Sequence, residues 1–511
     1  MNNFEELNAA QREAVEATEG PLLVLAGAGA GKTKTVTYRI LNLIQKGVAP
    51  ENILAVTFTN KAAKEMGDRV RKLLAEDKVL NLPISMKGKF TRRSFSEGGP
   101  FVATFHGLGA FIIKENAAAA GVKKHFSIYD REDSKRATKE ALVANGYDPK
   151  QFEPGKILAV ISREKGNFVS VEEFSSFAGG EYFGGIVAKV WEDYEKILKR
   201  ENALDFDDLL LVAAKLLQKE EIRRVYGEKW KYIHIDEYQD TNKVQYQITE
   251  SLARDHKNVC AVGDVDQNIY TWRNASIKNI LSFEKNFPGA KLVVMEENYR
   301  STQTILEVAN RIIKKNKLRM EKNLFTKNAV GERVGLFEAL TENHEAQFVV
   351  EKVKELQKTG VQLGEIAVLY RANFQSRVLE EEFLAKNVPY QVLGTRFFER
   401  KEVKDILAFL RFCFNPESIS DLKRIINVPP RGIGKTTLLK IVEGKEEGLP
   451  AGMKIKMTNF RNLLRKIKNF AEKNPPSKTI LFIAQEAGLN QNLEKSEEGR
   501  ERIENIKELS V

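Results

Sequence analysis

Leu22-Leu23-Val24-Leu25-Ala26-Gly27-Ala28-Gly29-Ala30-Gly31-Lys32-Thr33 is the stretch on which the reading of this chain turns. An apolar run, Leu22 to Leu25, enters a loop of glycine and alanine, and Val36, Ile40, Leu43 and Ile44 then recur at helical spacing. The pattern predicts strand, glycine loop and helix. In that setting the bare N–H groups of Gly27, Ala28, Gly29, Ala30 and Gly31 and the helix N-terminus wrap a polyphosphate, Lys32 reaches its outer phosphates, and the Thr33 hydroxyl holds magnesium. Ala26 stands where the stricter pattern has glycine, a position that need only be small.

A second signature, Ile235-Asp236-Glu237-Tyr238-Gln239-Asp240-Thr241-Asn242, ends another apolar run with an acidic pair. Asp236 is the candidate magnesium ligand, and Glu237 is the candidate group that orients and deprotonates a water. Together the two stretches imply ATP, Mg2+ and hydrolysis. Gly432-Ile433-Gly434-Lys435-Thr436 looks superficially like a second phosphate loop, but Pro429 occupies the position that should open it. That stretch is rejected as a nucleotide site.

Composition narrows the class. At roughly 150 residues per domain, 511 residues predict three or four domains. Residues Met1 to Glu6 lack an apolar signal core, and no apolar run approaches the roughly 20 residues that span a bilayer. A cytoplasmic protein with no membrane partner is expected. The cysteines, Cys260 and Cys413, are far apart and support neither a disulfide framework nor a zinc cluster. The formal net charge of +11 points to a polyanionic partner, and nucleic acid is the usual one.

The remaining motifs lie at expected strand ends. They are Leu7-Asn8-Ala9-Ala10-Gln11, Thr57-Phe58-Thr59-Asn60-Lys61, Thr104-Phe105-His106, Asp205-Phe206-Asp207-Asp208, Val262-Gly263-Asp264-Val265-Asp266-Gln267 with the following Asn268 to Arg273, and Glu297-Asn298-Tyr299-Arg300. In open parallel sheets such loops line the ligand crevice. In these motifs and their order the chain resembles the superfamily 1A DNA helicases of the UvrD, Rep and PcrA group. The resemblance implies that Gln11 reads the adenine edge, Tyr299 stacks on the base, and Lys34 stands where the family often has a stacking arginine. It also implies that Gln267 couples the γ-phosphate to the DNA track and that Arg300 neutralises charge on the transferring phosphoryl group. For single-stranded DNA it maps Phe58, Asn60, His106, Phe206, Tyr270, Trp272 and Arg273 onto the track, where flat rings accept any base and cations follow the backbone. The implied activity is ATP-dependent DNA unwinding with 3′-to-5′ polarity, acting on single strands and single/double-strand junctions.

The implied fold is α/β: RecA-like parallel-sheet P-loop motor domains with helical insertions. Residues 1–113 and 196–299 would form the ATP-binding domain, interrupted by a helical insertion at 114–195, with Asp77 to Pro100 as a basic surface loop. A second α/β domain is expected over 300–398, with strands at Val334 to Phe337, Ile366 to Tyr370 and Tyr390 to Leu393, and a second helical insertion over 399–511. There Val428 to Lys435 resembles a helix-hairpin-helix turn, with Gly432 and Gly434 presenting N–H groups to a duplex phosphate. The family's later motifs, a Gly-Leu-Glu strand entry and a Thr-Arg-Ala arginine motif, have no counterpart before Val511. The expectation is therefore a chain lacking the C-terminal third, with an incomplete second motor domain and a separately encoded C-terminal fragment as a partner. The rival expectation is a non-catalytic ATP- and DNA-binding remnant, or the N-terminal half of a split helicase.

Overall fold

A computed structural model describes residues 4–76, 99–178, 180–271, 274–393, 397–416, 418–442, 445–494 and 497–510. The expected basic loop falls almost entirely at 77–98, outside the described residues, as do Trp272 and Arg273. The chain divides into two units, Met1–Val334 and Gly335–Val511.

The first unit is built on a six-stranded sheet with the order β3-β2-β6-β7-β1-β8, parallel at every pairing. The strands are β1 Leu22–Ala26, β2 Ile53–Thr57, β3 Phe101–Thr104, β6 Tyr232–Ile235, β7 Val259–Gly263 and β8 Lys291–Met295. A separate two-stranded pair joins β4 Ser127–Ile128 to β5 Ala203–Leu204. Near-continuous apolar strands are what a sheet covered on both faces requires. In β1, Leu23 and Leu25 point into one core with Leu54, Val56, Ile233 and Ala261, while Leu22, Val24 and Ala26 point into another with Ile53, Ala55, Cys260 and Val262. Each fully buried aliphatic side chain contributes about 1.5–3 kcal/mol, so a one-residue slip of β1 would exchange both cores at once.

Four helices, Arg131–Ala144, Pro154–Gly166, Val171–Ala178 and Tyr182–Arg200, fill most of the stretch between the helix Phe105–Glu115 and β5, around their own core of Trp191, Tyr194, Ile157 and Ile161. Residues 300–334 lie in the first unit. Backbone bonds hold them there: Phe325 N–H donates to the Glu296 carbonyl at 3.1 Å, and Asn298 N–H donates to the Phe325 carbonyl at 2.7 Å.

The regular elements described in the second unit are all helices, and the larger of its cores centres on Phe409, Phe412, Phe460, Ile467 and Ile483. Here the strand expectations need correcting. Val334 to Phe337, Ile366 to Tyr370 and Tyr390 to Leu393 form no ladder among the described residues. Leu336, Leu369 and Leu393 are 98%, 92% and 91% exposed, so the β-branched and aromatic patterning there is not realised in paired strands. No described helix is long and apolar enough to cross a membrane.

Candidate nucleotide and nucleic-acid site

All six strands of the main sheet run the same way, so the loops after them gather along one edge. Reading along the strand order, His106 follows β3, Phe58 follows β2, Asp236 and Glu237 follow β6, Asp264 to Gln267 follow β7, Gly27 to Gly31 follow β1, and Glu297 to Arg300 follow β8. The candidate DNA residues His106 and Phe58 and the candidate nucleotide residues after β1 and β8 therefore occupy opposite ends of one edge, with the acidic pair and the loop of Gln267 and Tyr270 between them.

The loop after β1 turns through left-handed glycines, Gly29 at φ +69° and Gly31 at φ +84°. Neither position has room for a side chain. A Cβ on Gly29 would stand 2.5 Å from Asn298 Nδ2 and 2.9 Å from Arg300 Cβ; one on Gly31 would stand 2.8 Å from Gln11 Nε2. The loop thus carries the candidate base-binding residues on its back. Gln11 is buried, closes a capping box with Asn8 at the helix Ala9–Glu16, and donates to the Ala30 carbonyl at 2.9 Å. Tyr299, the candidate stacking ring, is 50% exposed. Its hydroxyl accepts from Asn8 Nδ2 at 2.8 Å, and its backbone N–H donates to the Gly29 carbonyl at 3.0 Å. Lys34 pairs with Glu6 at 3.4 Å and lies over the Tyr38 ring.

Asn298, which carried no role in the sequence reading, organises this corner. Buried to 2% exposure, it donates through Nδ2 to the Ala28 carbonyl at 2.6 Å and accepts from the Arg300 and Ser301 N–H groups at 2.8 and 2.7 Å. Those three bonds pin the exposed Arg300 beside the phosphate loop.

Lys32 Nζ lies 3.1 Å from Glu237 Oε2. Glu237 itself adopts φ +51°, a left-handed conformation uncommon for a residue with a Cβ and concentrated at functional sites. Its carboxylate also accepts from Gln239 Nε2 at 2.9 Å, Gln239 Oε1 accepts from the Asp264 N–H at 2.9 Å, and Asp264 Oδ2 accepts from Gln267 Nε2 at 2.7 Å. An unbroken polar chain thus runs from Lys32 to Gln267. Gln239 and Asp264 are the links that sequence reasoning passed over; their only signal was proximity to residues already singled out. Burial, then the charge of Glu237, pushes the Asp236 carboxyl up to about 6, and the same two causes push Asp240 up to about 6. A carboxylate so poorly solvated gains from a cation. Among the described residues no cluster of three or more metal-ligating side chains exists, so Thr33 and Asp236 offer hard oxygen donors without an all-protein cage.

At the other end of the edge the aromatic residues meet in pairs. The Phe58 and Tyr270 rings stand 4.4 Å apart at 33°, and His106 and Phe206 stand 5.9 Å apart, edge to face. Asn60, exposed, opens the helix Asn60–Glu76. Phe206 is 52% exposed at the first turn of the helix Phe206–Leu217. Asp205 and Asp208 cap that helix reciprocally, and the buried Lys165 bonds both, at 2.9 and 2.6 Å. The structure thus brings Phe58, His106, Phe206 and Tyr270 to one side as two ring pairs. In the second unit Gly432, at φ +68°, and Gly434 are exposed in a turn that Arg431 braces through the Ile425, Val428 and Pro429 carbonyls.

Comparisons with known proteins give the family of the chain. Residues 7–288 match the UvrD/REP helicase N-terminal domain and residues 293–456 match the UvrD-like helicase C-terminal domain. The ATP-dependent DNA helicase PcrA of Bacillus subtilis is 41% identical over 527 residues, spanning 99% of this chain and 69% of that protein. Its counterparts in Staphylococcus aureus and Staphylococcus epidermidis are 40% identical over 522 residues, again with 98% of this chain and 69% of the relative covered. The match at 293–456 places a UvrD-like C-terminal domain within the chain, so a missing C-terminal third, an incomplete second motor domain and a separately encoded fragment to complete it are not supported. With one family model spanning more than half its residues and relatives at this identity, the chain belongs to the UvrD/REP helicase family and is an enzyme of that family.

Proposed function

We propose that the chain is an ATP-dependent DNA helicase that hydrolyses ATP at the loop after β1 and moves along single-stranded DNA in the 3′-to-5′ direction, opening duplex at single/double-strand junctions. The observation that carries this reading is the polar chain from Lys32 through Glu237, Gln239 and Asp264 to Gln267, which ends in the loop that also holds Tyr270. The proposed phosphate lysine is thereby linked to the loop that carries the proposed strand-stacking ring.

In this reading Gln11 and Tyr299 hold the base, the Gly27–Gly31 N–H groups and Lys32 hold the phosphates, and Glu237 takes the proton of the attacking water. Displacement of Lys32 from Glu237 by the incoming phosphates frees that carboxylate for the task. Arg300 neutralises charge on the transferring phosphoryl group, a role worth about 10³–10⁵ in turnover. Thr33 and Asp236 would hold a magnesium ion, whose charge offsets that of the β- and γ-oxygens when bound. Gln267 senses the γ-phosphate side of the pocket and Tyr270 passes its state to the strand. Phe58, His106, Phe206, Tyr270 and Trp272 stack bases while Asn60 and Arg273 follow the backbone. The turn at Gly432 and Gly434 would meet a duplex phosphate. The assignment of 1–113 and 196–299 to the ATP-binding domain, with 114–195 inserted, and of 399–511 to the insertion of the second motor domain belongs to the same proposal; of the 300–398 segment expected for that second domain, residues 300–334 lie in the first unit.

A fluorescent duplex with either a 3′ or a 5′ single-stranded tail tests it. ATP-dependent strand release from the 3′-tailed substrate, and little from the 5′-tailed one, is expected. Equal release from both would remove the polarity, and release from neither would remove the helicase reading.

A further inference from the structure

Lys322 carries an arrangement that the catalytic reading does not use. Its side chain is 5% exposed, and its Nζ sits between two carboxylates, 2.5 Å from Asp264 Oδ1 and 2.6 Å from Asp266 Oδ2. Those acids are themselves 3% and 7% exposed, and Arg319 reaches Asp266 at 3.3 Å from the same segment. Placing a lysine and two aspartates out of water is costly unless the geometry is held closely, and removing the cation alone leaves two buried negative charges facing each other. The contact is therefore stiff, and it fixes the loop that follows β7. Asp264 is already occupied there: its side chain caps the turn by accepting from the Asp266 N–H at 3.0 Å, and it accepts from Gln267 Nε2 at 2.7 Å.

The segment bearing Lys322 touches two other parts of the same edge. Leu324 packs so closely on the phosphate loop that a Cβ on Gly27 would lie 2.0 Å from its Cδ2. Phe325 bonds through its backbone to Glu296 and Asn298, next to Arg300. Within four residues, the strap lies on the phosphate loop, on the loop of Tyr299 and Arg300, and on the loop of Gln267 and Tyr270. Those three loops follow β1, β8 and β7, which are neighbours in the sheet.

Building on the proposed function, we propose that Lys322 is a positioning residue: it clamps the Asp264–Gln267 turn to the strap over the phosphate loop, so that nucleotide-driven shifts of the strap reach Gln267 and Tyr270. Lys322 touches neither nucleotide nor DNA. Its contribution is to the coupling between them, and so it should appear in the DNA dependence of turnover rather than in either affinity.

The test compares wild type, Lys322→Met and Lys322→Arg as full chains. The readouts are ATPase kcat and KM with and without saturating oligo-dT, oligo-dT affinity by fluorescence anisotropy, and Tm. Lys322→Met should lower the DNA-stimulated kcat by about 10- to 100-fold, the order that a misplacement of up to 1 Å costs. KM for ATP and oligo-dT affinity should stay within about twofold, the sign of lost positioning rather than lost binding. Lys322→Arg, which keeps a cation between the carboxylates, should recover most of the stimulation. Unchanged stimulation in Lys322→Met, or equal losses in kcat, KM and DNA affinity, would overturn the inference. Should Lys322→Met fail to fold, Asp266→Asn reads the same clamp with one buried charge removed, and unchanged stimulation there would overturn it too. A wild-type enzyme without DNA-stimulated turnover would instead sink the proposed function on which the inference rests.

Discussion

Asn298→Ala is the perturbation whose effect follows most directly from the geometry. Asn298 makes three hydrogen bonds at 2.6–2.8 Å from a position 2% exposed, and two of its partners are the N–H groups of Arg300 and Ser301. Each such bond contributes about 1 kcal/mol net, and a buried partner left unpaired costs about 1–3 kcal/mol. Holding the Arg300 loop in its present place would then cost about 3 kcal/mol more than in the wild type. At 1.4 kcal/mol per factor of ten, the fraction of molecules with Arg300 correctly placed falls about 100-fold. The DNA-stimulated kcat should fall by the same factor and no further than in Arg300→Ala, for which the loss is about 10³–10⁵. The decisive assay is a double-mutant cycle on steady-state ATPase. If Asn298 acts through Arg300, adding Asn298→Ala to Arg300→Ala should cost less than about threefold more, because coupled residues do not add. Wild-type turnover in the single variant, or full additivity in the double, would refute the reasoning.

Other expectations follow from the same network. Lys32→Ala should abolish hydrolysis while leaving oligo-dT affinity within a few-fold, and turnover that survives this change would remove Lys32 from the site. Phe206→Ala should weaken oligo-dT binding by about 1–3 kcal/mol with a small shift in Tm, since the ring is 52% exposed; a large Tm shift with unchanged binding would make it a packing residue. His234 is held neutral in the fold, its pKa pushed down to about 3 by burial and then by the Arg39 charge. Because the folded state resists protonation, stability is complete above the unfolded value of about 6.5 and is lost as pH falls toward 3, by about 2 kcal/mol at pH 5. His234→Gln should flatten chemical denaturation midpoints between pH 8 and 5, and an unchanged pH dependence would count against that burial cost.

What the sequence disclosed was local and what it hid was distant. The β1 loop and the Asp236–Glu237 pair stand out in the sequence as short motifs whose spacing carries its own geometry, whereas Gln11, Tyr299 and Arg300 were singled out through the family resemblance. Asn298 sat inside a quoted motif, yet only its bonds to Ala28, Arg300 and Ser301 reveal its task. Lys322 and Asp264 are 58 positions apart in the chain, and nothing in composition or periodicity announces a buried pair made across that distance. Lys165 and Asp208, 43 apart, escaped notice likewise. In the second unit, Leu336, Leu369 and Leu393 read as strand residues because they lie in apolar, β-favouring runs. Periodicity reports a preference for extended backbone, whereas a strand also needs a neighbour to bond with.

Steady-state ATP hydrolysis by the purified chain, measured with and without oligo-dT, tests most directly the claim that one sheet edge joins a nucleotide pocket to a DNA track. The account predicts turnover that rises at least about tenfold with single-stranded DNA and disappears in Lys32→Ala. Hydrolysis that is absent in both conditions, or indifferent to DNA, would contradict it.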